Sequence, residues 1–156
     1  MRHLEATIVV PGPADRAYDL AVDPHRLSRL MPWIDRIQDI RGGGDRIGDS
    51  FLFRDHILGH AERGMTVVTA CHRPSFQTWE TTYDNGFRLI WSTHFAPRDG
   101  GTEIRNAVWW ARPEHWIGRV EEVAIRPVLQ RRLREAGERW RDYLVREEAS
   151  PQPTAI

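Results

Sequence analysis

Four side chains that can exchange protons or polarise a carbonyl group stand in otherwise apolar, alternating segments: Asp55, His72, Tyr83 and Asn106. A carboxylate, imidazole or phenol within hydrogen-bond reach of a substrate can move a proton, and an amide can hold a carbonyl oxygen. If the four face one interior, they could move protons to and from a bound molecule and hold its carbonyl oxygen. For His72, an ordinary histidine at a strand end is the alternative interpretation.

A candidate metal site consists of His56, His60 and Glu62, which flank Gly59. Two imidazoles and a carboxylate suit zinc or iron. Polar side chains are also common at exposed hairpin tips, and we favour that interpretation, so no metal and no cofactor are predicted. Cys71 is the only cysteine, which excludes an intrachain disulfide and a cysteine-rich zinc site.

The charges of the chain balance, with 22 basic and 22 acidic residues. This balance gives no electrostatic reason to expect a nucleic acid partner. All the basic residues are arginines, so chemistry that requires a Schiff-base lysine is excluded. The chain has neither the apolar region of a signal peptide nor a membrane-spanning run, and a cytoplasmic location without membrane insertion is expected.

The elements that must position these side chains follow from periodicity. Alternation with period two, closed by Gly, Asp, Asn and Pro turns, predicts seven strands. They cover 4–10, 34–41, 50–58, 62–72, 75–83, 87–96 and 102–111. Two short helices are predicted between the first two strands: the segment PGPADRAYDLAVD starts one, and Asp23-Pro24 starts another that runs to about 31.

A long helix is predicted from about 115 to about 147, with Pro127 expected to kink or divide it. Its apolar residues at helical spacing are Val120, Ala124, Val128, Ala136, Trp140 and Leu144. The chain is expected to form one domain over 1–148, with a disordered tail at 149–156. A seven-stranded twisted sheet must cover one face, and only this helix is long enough to do so.

The alternation also assigns the faces of the strands. The interior is predicted to be aromatic with a few polar groups, a composition that suits a flat, hydrophobic, oxygen-bearing ligand. The predicted ligand-binding residues are Phe51, Phe53, Gln77, Trp79, Thr81, Trp91, Thr93, Phe95, Val108, Trp110 and, on the helix, Trp140. Trp109 is predicted to point outward. The inward face of residues 64–72 stays open, because both alternating sets could be buried.

Three segments carry a resemblance to a known family: ATIVVPGPADRAYDLAVDPHRL, FRLIWSTHFAPRDGGTEIRNAVWW and RPVLQRRLREAGERWRDYL. Over about 4–147 the chain resembles the START-like, helix-grip superfamily, which includes polyketide cyclases and dehydratases, plant ligand-binding proteins and lipid carriers. The resemblance implies an α+β helix-grip fold. In that fold a strongly curved, seven-stranded antiparallel sheet wraps around a long C-terminal helix, and two short helices follow strand 1.

The resemblance also implies a hydrophobic small-molecule ligand. The family's cyclases assist enolisation with Arg, Tyr, Asn or Gln side chains, but this sequence predicts no arginine on an inward strand face. Arg73, at a strand end, is the nearest, and the arginines of RPVLQRRLREAGERWR are predicted to face solvent. Three hypotheses follow: a cyclase or dehydratase, a non-catalytic carrier of a hydrophobic molecule or lipid, and an interaction protein whose interior its own side chains fill. Either a monomer or a homodimer fits the sequence.

Overall fold

The computed structural model of the chain describes residues 2–57, 60–111 and 119–149, and within them it contains seven strands and three helices. The strands are β1 (Arg2–Pro11), β2 (Ile34–Arg41), β3 (Ser50–Ile57), β4 (His60–His72), β5 (Phe76–Tyr83), β6 (Arg88–Arg98) and β7 (Gly101–Ala111). The helices are α1 (Ala14–Val22), α2 (Leu27–Leu30) and α3 (Arg119–Ala149). The predicted α+β order and fold class are confirmed.

The strands form one antiparallel sheet in the order β1-β7-β6-β5-β4-β3-β2. From β2 to β7 each strand pairs with the next one along the chain, because the short turns between them allow only adjacent antiparallel pairing. At the β6–β7 turn, Asp99 and Gly100 adopt φ values of +46° and +79°, the left-handed region that such tight turns require. β1 closes the opposite edge by pairing with β7.

The edge strand β2 is irregular. Its pairing with β3 shifts register twice, between Asp35 and Gln38 and between Gln38 and Arg41. Arg36 and Asp39, which lie in these two shifts, have φ values of +48° and +50°. Bulges of this kind bend a strand and increase its twist. They therefore re-aim the side chains along this edge of the sheet.

One face of the sheet is covered by α3, whose buried stripe consists of Ile125, Leu129, Leu133, Ala136, Trp140 and Leu144. The prediction for the first half of this stripe was wrong: Ala124 is exposed and Val128 is only half-buried, and the side chain of Val120 lies outside the described residues. Steps of four residues advance about 40° beyond one helical turn, so a repeated step of four leaves the buried face. The observed stripe stays on that face because it mixes steps of three and four.

Pro127 lies inside α3, exposed, and the helix continues through it, so the expected division does not occur. The predicted disordered tail lies outside the described residues, apart from Ala149 at the helix end. None of the described helices combines the length and the apolar character that crossing a membrane requires.

The inner face of the sheet, defined as the face toward α3, has the predicted residues on β3, β5, β6 and β7. The predicted inward residues are all buried: Phe51, Phe53 and Asp55 on β3, Gln77, Trp79, Thr81 and Tyr83 on β5, Trp91, Thr93 and Phe95 on β6, and Asn106, Val108 and Trp110 on β7. Trp109 points outward and is half-buried, with its ring stacked on that of His3 at a centroid distance of 5.9 Å. Period two is therefore a reliable guide wherever the pairing has no bulge.

Candidate functional site

A buried ion pair joins α3 to the inner face of the sheet. Arg132 donates from Nη1 to Asp55 Oδ2 and from Nη2 to Asp55 Oδ1, both at 2.8 Å. Arg132 Nη2 also donates to the backbone carbonyl of His56 at 2.7 Å. The side chains of Arg132 and Asp55 are only 5% and 1% exposed. Such a bidentate arrangement supplies the hydrogen bonds that make a buried ion pair tolerable.

Tyr83 completes this polar centre by donating its hydroxyl to Asp55 Oδ2 at 2.7 Å. Burial raises the pKa of Tyr83 well above its ordinary value, and the negative charge of Asp55 raises this pKa further. The phenol therefore stays protonated at neutral pH and acts as a hydrogen-bond donor. Here, "the polar centre" means Arg132, Asp55 and Tyr83.

Each member of the polar centre is placed by simple local rules. Asp55 follows Phe51 and Phe53 at period two on β3, so it shares their inward face. Tyr83 ends the inward row of β5. Arg132 is on α3 between the buried Leu129 and Ala136, on the stripe that faces the sheet.

Trp33, in the segment between α2 and β2, packs against Arg132. The guanidinium carbon of Arg132 lies 5.0 Å from the centre of the Trp33 ring, a cation–π contact. Trp33 itself is half-buried, whereas Arg132 is not exposed. Trp33 thus covers the Arg132 guanidinium with a ring that is itself partly open to solvent.

Next to the polar centre is an inner cavity of about 40 Å³. The sheet contributes most of its wall, and α3 and the segment from α2 into β2 contribute the rest. Its lining consists of Met31, Trp33, Ile34, Phe53, Asp55, Thr66, Trp79, Thr81, Tyr83, Leu89, Trp91, Leu129 and Arg132. Thr66 and Thr81 share a buried hydrogen bond between their hydroxyl oxygens, at 2.8 Å. The cavity is therefore aromatic with a polar wall, and side chains fill most of it.

A buried inner donor faces no described acceptor. Trp79 Nε1 is buried and lacks a hydrogen-bond partner among the described residues. Buried donors are normally satisfied, so this group suits an acceptor oxygen.

The structure brings six of the predicted site residues to the inner cavity: Phe53, Asp55, Trp79, Thr81, Tyr83 and Trp91. The others are buried elsewhere in the inner layer or exposed. Phe51 packs its ring edge-on against Trp79, and Gln77 donates to the backbone carbonyl of Gly44. Thr93, Phe95, Val108, Trp110 and Trp140 are buried core residues that do not line this cavity. Trp140 donates to the carbonyl of Ala17 at 3.3 Å, which ties α3 to α1.

Asn106 is buried but is already engaged by its neighbours. Its Oδ1 accepts from Thr93 Oγ1 at 2.7 Å and from Trp91 Nε1 at 3.4 Å. It therefore holds the Trp91 ring in place and does not line the inner cavity. The structure places Asn106 in support of the cavity wall.

His72 is not part of the inner layer. It is exposed and stacks on Phe76 at 6.3 Å, on the outer face of the sheet. The reason is a register shift in β4 between Val68 and Ala70, after which His72 pairs with the outward Phe76. The expected role of His72 as a base inside the cavity is therefore corrected. Gly64, Thr66 and Val68 are the inward residues of β4 before the shift.

Sequence reasoning missed Arg132, Trp33 and Thr66. The prediction that the arginines of the helix face solvent was wrong for Arg132, which is buried on α3. Arg132 lies three residues after Leu129 and four before Ala136, and this spacing would have placed it on the buried stripe. Arg73 is exposed and pairs with Asp19 on α1 at 2.8 Å.

The candidate metal residues are not assembled within the described part of the chain. His56 is exposed, with Nε2 3.6 Å from Asp35 Oδ2, and the side chain of His60 is outside the described residues. Residues 2–57, 60–111 and 119–149 contain no group of three His, Cys, Asp or Glu side chains that could hold a metal ion.

Solved structures share this architecture. The protein TTHA0849 from Thermus thermophilus superposes with a TM-score of 0.77 at 16% identity, covering 96% of this chain and 100% of that one. MLL2253 from Mesorhizobium loti gives a TM-score of 0.70 at 13% identity, over 93% and 98% of the two chains. Major latex-like protein 151 from Panax ginseng gives 0.67 at 12% identity, over 92% and 97%. At these identities the likeness establishes the fold alone.

Comparison with curated proteins gives no match. The family model described as "Polyketide cyclase / dehydrase and lipid transport" matches residues 1–145, nearly the whole chain. Together with the helix-covered sheet and its inward aromatic rows, this match shows that the chain belongs to the polyketide cyclase/dehydrase and lipid transport family.

Proposed function

We propose that the protein binds a hydrophobic small molecule that bears a carbonyl or phenolic oxygen, between the inner face of the sheet and α3. The observation that carries this proposal is the polar centre itself, an ion pair less than a tenth exposed within an aromatic wall. Burial of two charges costs free energy that packed apolar residues would not cost. Binding of a ligand through the Arg132 guanidinium would explain why the protein has a buried ion pair despite this cost.

The size of the inner cavity sets a condition on this proposal. Sites for small molecules usually measure about 300–1,000 Å³, whereas this cavity measures about 40 Å³. A ligand must therefore enlarge the cavity by displacing side chains. The half-buried Trp33 is the natural one to move, because it lies between Arg132 and solvent. Its displacement would expose the guanidinium to the ligand.

The polar centre also favours a second candidate function, the cyclisation or dehydration of the bound molecule, as in an aromatase or cyclase. In an enolisation a proton leaves carbon and the carbonyl oxygen gains negative charge. The charged guanidinium of Arg132 is a donor for that oxygen, and the protonated phenol of Tyr83 becomes one when its hydroxyl turns from Asp55 to the ligand. Asp55 is the carboxylate nearest to both donors and is the candidate acceptor for the proton.

The first experiment is a tryptophan fluorescence titration with polycyclic phenols, linear polyketide mimics and fatty acids. Binding predicts saturable quenching by one class. Arg132→Met should weaken binding of oxygen-bearing ligands about tenfold, the effect of losing one charged hydrogen bond. Trp109→Phe is the matched control, because Trp109 lies on the outer face. No saturable response from any class would contradict the proposal and support an interior filled by its own side chains.

A turnover assay on the class that binds then separates an enzyme from a carrier. Conversion that Tyr83→Phe and Asp55→Asn each reduce at least about a hundredfold, the usual contribution of a general acid or base, would establish catalysis. Binding without conversion would establish a carrier.

A further inference from the structure

A groove on the outer face of the sheet, opposite α3, is larger than the inner cavity. It measures about 510 Å³, and we call it the outer groove. The residues used below are Arg36 on β2, Leu52 and Arg54 on β3, and Arg63 and Met65 on β4. Its volume lies within the usual range of small-molecule sites.

The strand register arranges these side chains in two rows. Leu52 is directly opposite Met65, and Arg54 is directly opposite Arg63. Residues two apart on a strand share a face and lie about 7 Å apart. An apolar row therefore runs beside a cationic row. Met65 is 48% exposed, so the apolar row is open to solvent.

The carboxylates that pair with the two arginines of the cationic row lie at the two ends of that row. Arg54 donates from Nε and Nη2 to Asp35, both at 3.0 Å, on the β2 side. Arg63 donates from Nε to Asp84 at 2.9 Å, at the end of β5. The two guanidinium groups thus occupy the middle of the row. Like charges directly opposite each other on a sheet destabilise it unless a counter-charge lies between them.

Arg36 adds a third guanidinium at the edge of the outer groove. Its backbone has a φ of +48° at a register shift of β2, a conformation that aims the side chain differently from its neighbours on the strand. Among the described residues no carboxylate forms an ion pair with Arg36. The outer groove therefore has positive charge in excess, next to an exposed apolar row.

We propose that the outer groove binds an anionic amphipathic small molecule, with its acidic group among Arg36, Arg54 and Arg63 and its apolar part over Leu52 and Met65. This site is on the opposite face from the inner cavity and does not depend on the function proposed there. A groove of bounded volume beside a compact cationic row fits one soluble molecule.

Isothermal titration of the whole protein with decanoate tests this site. Saturable binding is expected, with decanol and acetate at least about tenfold weaker because each lacks one of the two features. Arg36→Gln and Arg63→Gln should each raise the Kd about fivefold, and Met65→Ser about threefold. Higher salt should weaken binding because the charges are exposed. Arg105→Gln, at an exposed arginine of β7 outside the outer groove, is the matched control and should leave the Kd unchanged.

Three results would overturn the proposal. One is the absence of saturable decanoate binding. Another is decanoate binding that all three groove variants leave unchanged. The third is binding only to vesicles of phosphatidylserine and phosphatidylcholine, without binding of monomeric decanoate, because it would assign the arginines to a lipid surface. Thermal melts of each variant verify that these exposed substitutions leave the fold intact.

Discussion

The two faces of strands β3 to β5 have similar ion pairs in very different surroundings. On the inner face, Arg132 and Asp55 are 5% and 1% exposed. On the outer face, Arg63 and Asp84 are 76% and 58% exposed. Asp84 follows Tyr83 of the polar centre directly in sequence, so one residue along the chain separates the two environments. The surroundings, rather than the distance between the charges, decide what each pair contributes to the free energy of unfolding.

The physical reason is solvent. Water screens the outer pair, and its attraction barely exceeds the entropy lost by ordering two long side chains. The inner pair has lost its water, so each charge depends on the other. Removal of one partner should therefore destabilise the protein far more on the inner face than on the outer face, and substitutions can measure this difference.

The largest expected effect is that of Arg132→Ala, which leaves Asp55 buried and uncompensated. We expect a loss of about 3–5 kcal/mol in the free energy of unfolding, measured by urea denaturation. The matched control is Arg131→Ala, whose side chain is 63% exposed and which should change stability by less than about 0.5 kcal/mol. A loss below about 1 kcal/mol for Arg132→Ala would show that Asp55 is hydrated or protonated.

The triple variant Asp55→Leu/Tyr83→Phe/Arg132→Met sharpens this comparison, because it removes both charges and the hydroxyl that would lose its acceptor, and it fills the space with apolar groups. It should recover most of the stability that Arg132→Ala loses, since a buried pair is replaced by packing. If the triple variant is as unstable as Arg132→Ala, the loss comes from packing rather than from the unpaired charge.

Gly64→Ala is expected to have the second largest effect, about 2 kcal/mol, through overpacking of the inner face. A Cβ atom at this position would lie 2.7 Å from Phe53 Cζ, inside van der Waals contact. Met65→Ala, one residue further and exposed on the outer face, is the control. Equal stability of the two variants in thermal melts would mean that the Phe53 ring moves freely.

Tyr83→Phe removes one donor from Asp55 but leaves Arg132 in place, so a loss of about 1.5 kcal/mol is expected. Folding raises the pKa of Tyr83, so above pH ~10 the phenol ionises in the unfolded protein before it ionises in the folded protein. The contribution of Tyr83 to the free energy of unfolding is therefore complete below pH ~10 and decreases at higher pH. Tyr83→Phe should make the free energy of unfolding less sensitive to pH above ~10. Burial raises the pKa of Tyr18 to about 12, so in this variant Tyr18 should still make the free energy of unfolding depend on pH above ~10. An unchanged alkaline slope would contradict the raised pKa of the buried Tyr83.

The smallest effect is expected on the outer face. Arg63→Ala should cost no more than about 0.5 kcal/mol, and the cost should disappear as salt rises. The measurement is urea denaturation at low and high ionic strength. A loss comparable to that of Arg132→Ala would end the distinction between the two faces.

The difference between the faces also explains which parts of the site sequence reasoning could predict. Alternation placed Asp55, Tyr83 and Trp79 on the inner face because β3 and β5 have no bulge between these positions and their turns. It left the inward face of residues 64–72 open because both alternating sets could be buried, and the register shift after Val68 then sends His72 outward. No residue type between Val68 and Ala70 predicts the bulge, so period two alone could not assign His72 to the outer face.

Arg132 was missed for a different reason. In an arginine-rich helix, residue type alone does not distinguish a buried arginine from the solvent-facing ones. The distinction requires its helical spacing from the buried apolar residues. What makes its burial tolerable is Asp55, far away in sequence, and a pattern within one element contains no information about that partner. The size of the cavity is equally a property of the packed whole, because it depends on how Trp33, Leu129 and the sheet fit together.

The position of β1 has a consequence for how the chain acquires its structure. Its partner is β7, with Arg2 opposite Trp110, so the first strand to be synthesised pairs with the last. Strands β2 to β7 can pair one after another as hairpins between consecutive strands, and each pairing closes only a short loop. β1 can pair only after β7 has formed, so during synthesis on the ribosome it docks late although it is made first. The rate-limiting step of folding is therefore expected to be the long-range addition of the N-terminal strand, and substitutions on β1 should slow folding more than equally destabilising substitutions in the hairpins.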